Sequence, residues 1–306
     1  MSNLSDFKIE DGVLIDYIGT DAEVVVPENV ISIGENSFRN CITIKTLIVP
    51  QNVTSIGGCA FHYCTNLENV IIENGLTTIE SGAFFYCTSL ENLTLPESVT
   101  SIGEGAFVNC KSLKNFVIPN KVKRIEEHTF DRCESLESVI IPNGIIQIDD
   151  DAFWHCKNLK NIIIPDSVSI ISVFAFYGCQ KLESITISPN NSIYHCKNNC
   201  IIEKKSKTLI IGCKKSVIPG GDFVTKIGRA AFCRTNVKEI DVPNSVTEID
   251  DYAFRESKIN KIIIPGSVLK IGKYVFDGCG NLVIKGESGS YAEKYAKEND
   301  IPFEAI

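Results

Sequence analysis

The sequence predicts a solenoid in the α/β class, a one-dimensional stack of one strand-and-turn unit, and three observations carry that expectation. Phenylalanines stand at Phe38, Phe61, Phe84, Phe107, Phe130, Phe153 and Phe176, 23 residues apart each time. Three residues after each comes a cysteine: Cys41, Cys64, Cys87, Cys110, Cys133, Cys156 and Cys179. Between them one apolar pattern returns, clearest in CTSLENLTLPESVTSIGEGAF from Cys87 to Phe107. A period of this length means a single supersecondary unit repeated, each copy burying its apolar side against its neighbours.

Residues 1–21 read as an N-terminal cap, a hairpin from Phe7 to Tyr17 with Asp11-Gly12 as its turn. Residues 22–188 hold the 23-residue turns. In the Cys87 copy, Leu90, Leu93 and Leu95 form L-x-x-L-x-L, and its alternating end predicts a short strand with Leu93 and Leu95 inward. Pro96 ends that strand because proline has no N–H to continue a ladder. Val99 and Ile102 in V-T-S-I-G predict a second extended segment, Gly103 a bend, and Ala106-Phe107 a small and a large core side chain. Regularity breaks in 189–216, where CIIEKKSKTLIIGC predicts a hairpin pairing Cys200–Ile202 with Leu209–Ile211. Turns of about 22 residues resume over 217–286, with Phe232, Phe254 and Phe276 in phase. Residues 287–306 read as a C-terminal cap helix beginning near Ser290, Tyr291 and Tyr295 on one face, ended by Asn299 and Pro302. The whole is expected to be one continuous domain.

Composition narrows the function classes. With 30 Lys and Arg against 38 Asp and Glu the net charge is −8, and no basic run tracks a phosphate backbone, so nucleic acid is not the expected partner. No 18-residue apolar run predicts membrane insertion, and the N-terminus MSNLSDFKIEDG has no export pattern, so the chain as written reads as cytoplasmic. Thirteen cysteines are an odd number, and eight of them, the seven above plus Cys279, hold one repeat position. They are expected to stack as a ladder of buried thiols rather than disulfides.

The fuller pattern C-x-x-L-x-x-L-x-L-P-x-x-V-x-x-I-x-x-x-A-F, over roughly residues 22–284, resembles the BspA-type (Treponema pallidum-type) leucine-rich repeat class. That resemblance implies a right-handed, horseshoe-like leucine-rich repeat solenoid with a parallel sheet on its concave side and irregular or short helical segments on its convex side. It also implies a surface-associated protein that binds other proteins or adheres to a host matrix, and it brings no catalytic residues or cofactor.

Function is therefore expected between the core positions. One outward residue per strand, Ile48, Ile71, Thr94, Val117, Ile140, Ile163 and Thr186, forms a β-branched stripe on the concave face. Beside it run Asn69, Asn92, Asn115, Ser138, Asn161 and Ser184, then Glu68, Glu91, Lys114, Glu137, Lys160 and Glu183. The plain reading is strand propensity beside a solvated polar ladder; the functional reading is an apolar binding face with a polar rim. A weaker candidate is the aromatic set Tyr63, Phe85, Tyr86, Trp154 and Tyr177 near the convex side, against ordinary corner packing. Cys59, His62 and Cys64, or His195, Cys196, Cys200 and Cys213, lack paired metal spacing, so no metal is expected. Carboxylates look scattered, with no repeat concentrating them, and no nucleophile-base pattern is present, so no enzyme is expected. The sequence reading is a non-enzymatic scaffold for a protein or peptide ligand; the alternatives are a polysaccharide-binding or carbohydrate-active protein and a structural surface spacer.

Overall fold

The regular turns contain two short strands because their apolar residues alternate twice, and within each unit these strands pair in parallel with counterparts in neighbouring turns as several short sheets. The computed structural model describes residues 3–306. Its tertiary contacts form two compact units: residues up to Leu159 together with Ile170–Phe176, and Lys160–Ser169 together with Tyr177–Ile306.

In the first unit the longer strands are Glu23–Val25, Thr46–Val49, Asn69–Ile72 and Asn92–Thr94, in register so that Leu47 lies beside Val70 and Val70 beside Leu93. Asn115–Val117 and Ser138–Ile140 pair the same way. The second row of two-residue strands includes Ser55–Ile56, Thr78–Ile79 and Ser101–Ile102, all parallel. The prolines sit at the corner between rows: Pro96 closes a β-turn in which its carbonyl accepts the Val99 N–H at 3.1 Å. Gly103 does not supply a bend through unusual backbone. It is needed for close approach, since a Cβ there would stand 2.5 Å from the Ser81 backbone nitrogen.

The third side of each turn is irregular rather than helical, the first of the two forms that the resemblance implied. Alternate N–H groups are spent between turns: Gly82, Phe84 and Tyr86 donate to the carbonyls of Glu104, Ala106 and Val108 at 2.8–2.9 Å. In most such segments two residues four apart take left-handed backbone, among them Gly82 and Tyr86, then Gly105 and Asn109. Repeated left-handed residues break an α-helix, and the result is a third ladder of turns.

The core is a column of rings. Phe38, Phe61, Phe84, Phe107, Phe130, Phe153 and Phe176 stack with successive centroids 4.9–5.6 Å apart. The column is closed at the N-terminal end by Tyr17 and Phe7, which belong to the hairpin Phe7–Glu10 and Val13–Tyr17. Asp11 and Gly12 both have positive φ, 49° and 78°, the two-residue turn the Asp-Gly pair predicts.

In the second unit Asn161–Ile164 pairs with Ser184–Ile187, after which the irregular segment folds as three antiparallel strands, Tyr194–Lys197, Cys200–Glu203 and Thr208–Ile211. The sequence reading gave only the last two; the first, YHCK, carries too little apolar alternation to announce itself. Thr208–Ile211 then pairs in parallel with Lys226–Ile227, so the insertion's final strand restarts the short row. Buried Asn191 pins its entrance by donating to the carbonyls of Pro165 and Val168 and accepting the N–H of Ile193 and Tyr194. Within this unit Phe232, Phe254 and Phe276 form a ring column that ends against Tyr295. Tyr295 comes from the helix Tyr291–Glu298, whose N-cap Ser290 accepts the Glu293 N–H. A strand the sequence reading missed, Phe303–Ala305, then pairs with Val283–Gly286.

Candidate functional site

Strand pleating turns alternate side chains of the longer strands outward. In the first unit Ile71, Val117 and Ile140 are 53%, 53% and 60% exposed, Thr94 and Val25 are exposed, and Ile48 is half-buried. In the second unit Ile163 is 68% exposed and Thr186 is exposed. Such exposure on large branched residues is a cost in water that packing within the chain does not recover. Beside Ile71 and Thr94 lies a shallow depression of about 490 Å³ that also involves Asn69 and Asn92.

The neighbouring polar row is internally bonded. Asn92 Nδ2 donates to Asn69 Oδ1 at 2.7 Å, and Ser138 Oγ donates to Asn115 Oδ1 at 2.7 Å. Asn161 is exposed. The charged row forms loose exposed pairs, Lys45–Glu68 at 3.7 Å and Lys114–Glu91 at 4.0 Å. Glu183 is tied to the irregular segment, 2.6 Å from Lys215 and 3.0 Å from Lys214. Hydrogen bonds from these two lysines pull its carboxyl down to about 2.

The aromatic candidates divide between the units. In the first, Tyr63 and Tyr86 stack at 4.7 Å, with Phe85 4.9 Å from Tyr86 and 4.8 Å from His62. Two turns along, the Arg132 guanidinium lies 4.7 Å over the Trp154 ring, and the His155 ring stacks on Trp154 at 4.5 Å. A groove of about 600 Å³ runs between these groups, lined by Phe85, Tyr86, His128, Asp131, Arg132 and Trp154 among others. Tyr177 belongs to the second unit, where Arg234 covers its ring at 5.0 Å and burial pushes its hydroxyl up to about 12.

Asp131 was not singled out in the sequence. It is 7% exposed; its Oδ2 is 3.7 Å from His128 Nδ1 and its Oδ1 3.8 Å from Arg132 Nε. Both distances exceed a hydrogen bond. Burial pushes its carboxyl up to about 6, against the pull of His128 and Arg132. The carboxylates are not evenly scattered either: Glu126-Glu127 and Asp149-Asp150-Asp151 occupy the same stretch of adjacent turns, and burial together with mutual repulsion raises Glu126, Asp150 and Asp151. Two acidic runs 23 residues apart were the available signal.

All thirteen cysteines are free. The repeat thiols are more than small hydrophobes: those of Cys64, Cys87, Cys110, Cys133 and Cys156 donate to the carbonyls of Phe38, Phe61, Phe84, Phe107 and Phe130 at 3.0–3.2 Å. Among the leftover cysteines, Cys196 donates to the Ile185 carbonyl at 3.0 Å. Among the described residues no three His, Cys, Asp or Glu side chains converge as metal ligands, and no helix is long and apolar enough to cross a membrane.

The comparisons agree with this geometry. The model for the BspA type leucine rich repeat region matches in six copies, over residues 19–136, 100–223 and 212–284. A leucine rich cell surface protein from Faecalibacterium prausnitzii is 26% identical, with a TM-score of 0.67 over 97% of this chain and 94% of its own. A leucine-rich repeat protein from Bacteroides ovatus is 30% identical, with a TM-score of 0.57 over 93% of this chain and 84% of its own. The Treponema pallidum leucine rich repeat protein is 30% identical, with a TM-score of 0.55 over 59% of this chain and 90% of its own. No curated protein matches the sequence. With the family pattern running from residue 19 to 284 and the strands, corners and ring column in phase with it, the chain belongs to the BspA-type leucine-rich repeat family.

Proposed function

We propose that this chain is a non-enzymatic, adhesion-type scaffold that binds a protein or peptide on the sheet of longer strands. The observation that carries this reading is the set of exposed branched side chains at Ile71, Val117 and Ile140 in the first unit, with Ile163 on the corresponding strand face of the second. The Asn69–Asn92 and Asn115–Ser138 bonds hold a polar margin at a fixed distance from that stripe, so apolar contact supplies affinity and the polar row supplies register. A place at the cell surface is in keeping with the description of the Faecalibacterium protein.

The test begins with partners captured by the full chain. Affinity for a captured partner is then measured after Ile71→Lys, Val117→Lys and Ile140→Lys together. A loss of tenfold or more with an unchanged melting temperature is the expected result. Unchanged affinity rules out this face, and a chain that captures no saturable partner is a spacer.

A further inference from the structure

We propose that the groove between Tyr86 and Trp154 in the first unit is a second binding site, and that its ligand is a neutral pyranose unit of an oligosaccharide. Three buried polar atoms around it have no hydrogen-bond partner: Asp131 Oδ1, His128 Nδ1 and His62 Nδ1. Leaving a buried donor or acceptor unpaired is costly, and orphaned polar groups gathered in one place mark where a partner is missing.

The chemistry of the gap selects that partner. Asp131 Oδ1 offers an acceptor, while Arg132 Nε and His128 Nδ1 lie 3.8 Å and 3.7 Å from the same carboxylate. A hydroxyl is donor and acceptor at once, so one placed here donates to Asp131 and accepts from a neighbouring nitrogen. An ammonium ligand satisfies Asp131 but meets Arg132, whose guanidinium already holds the cation position over Trp154. An anionic ligand meets Asp131 and Glu104, which also lines the groove. A neutral ligand rich in hydroxyls meets neither conflict. The rings of Phe85 and Tyr86 give such a ligand an apolar wall for its C–H face, and about 600 Å³ falls within the range of small-molecule sites.

The Tyr86 ring can be removed without disturbing its backbone. Tyr63 and Tyr86 hold left-handed φ of 62° and 61°, whereas Asn40 and Asn109 fill the same position of neighbouring turns at 60° and 59°. Asparagine tolerates that conformation far better than a bulky aromatic residue.

Trp154 is the single tryptophan of the chain and lies on the groove, so its emission reads occupancy directly. The full chain is titrated with soluble hexasaccharides of glucose, mannose, galactose and N-acetylglucosamine. A saturable change with at least one of them is expected, weakened tenfold or more by Asp131→Ala and by Tyr86→Asn. Tyr86→Asn suits the left-handed backbone, so it separates loss of the ring from loss of the fold. The Ile71, Val117 and Ile140 lysine variant is expected to bind the sugar normally, which keeps this site independent of the proposed protein-binding face. The proposal is overturned if no hexasaccharide gives a saturable change at millimolar concentration, if both groove variants bind as the parent does, or if choline displaces the sugar.

Discussion

The Cys110 thiol donates to the carbonyl oxygen of Phe84 at 3.2 Å, and the same oxygen accepts the Cys87 N–H at 3.1 Å. One carbonyl thus joins a turn to itself and to the next. The arrangement explains why cysteine, rather than alanine or valine, returns at this position: the site is fully buried yet needs a donor, and a thiol is apolar enough for the first and polar enough for the second. Replacing Cys110 by alanine removes the sulfur's packing and one hydrogen bond, a cost of about 1–3 kcal/mol. A lowered unfolding midpoint with unchanged circular dichroism checks it.

The same burial makes the ladder chemically quiet. Desolvation raises the thiols of Cys87, Cys110 and Cys133 well above the ordinary range, and lifts Cys41 to about 11 and Cys200 to about 12. Only the thiolate attacks a disulfide reagent. The native chain is therefore expected to react slowly with Ellman's reagent at pH 8, and all thirteen thiols at once in denaturant. Rapid native labelling of the repeat cysteines would contradict the ladder.

Phe107 and Val117 make a contrast between stacked core and open strand face. Phe107 has rings on three sides, Phe84 and Phe130 at 5.6 Å and Phe116 at 5.1 Å. Phe107→Ala is expected to cost about 3–5 kcal/mol, felt in both adjoining turns because each turn is supported by its neighbours. Val117→Lys, at an exposed strand position, is expected to stay within about 0.5 kcal/mol. Thermal melts of the two variants side by side check the difference.

What the sequence made legible follows from what repetition can record. Phe38 to Phe176 and the cysteine three residues after each recur in seven successive copies, so their role is visible without structure. Gly103 was read as a bend because glycine often makes one, but its true constraint, the Ser81 backbone at 2.5 Å from any Cβ, is a contact between turns. Asp131 escaped notice for the opposite reason. Its position varies from turn to turn, with aspartate again at Asp277, and its significance lies in His128, Arg132 and Trp154 meeting around it, which no spacing rule encodes. The strand Tyr194–Lys197 was hidden by its polar composition, and the Phe303–Ala305 strand by the chain end and the proline before it.

Asp131 and Glu183 give stability opposite slopes with pH. An aspartate titrates near 3.9 in an unfolded chain, and Asp131 titrates at about 6 in the folded one. Between those values the folded state binds more protons than the unfolded state, so stability is present below about pH 4 and is lost as pH rises through about 6. Asp150 and Asp151, also raised, slope the same way. Glu183 is depressed to about 2, so its contribution is present above the unfolded glutamate value and is lost as pH falls through about 2. Asp131→Asn removes the first slope alone. The variant is expected to match the parent near pH 4 and to exceed it by about 1–3 kcal/mol at pH 8, from a shift of roughly two pKa units at 1.36 kcal/mol each. Urea unfolding at pH 4, 6 and 8 checks this, and a variant that is less stable than the parent at pH 8 shows that Asp131 is paired when ionised.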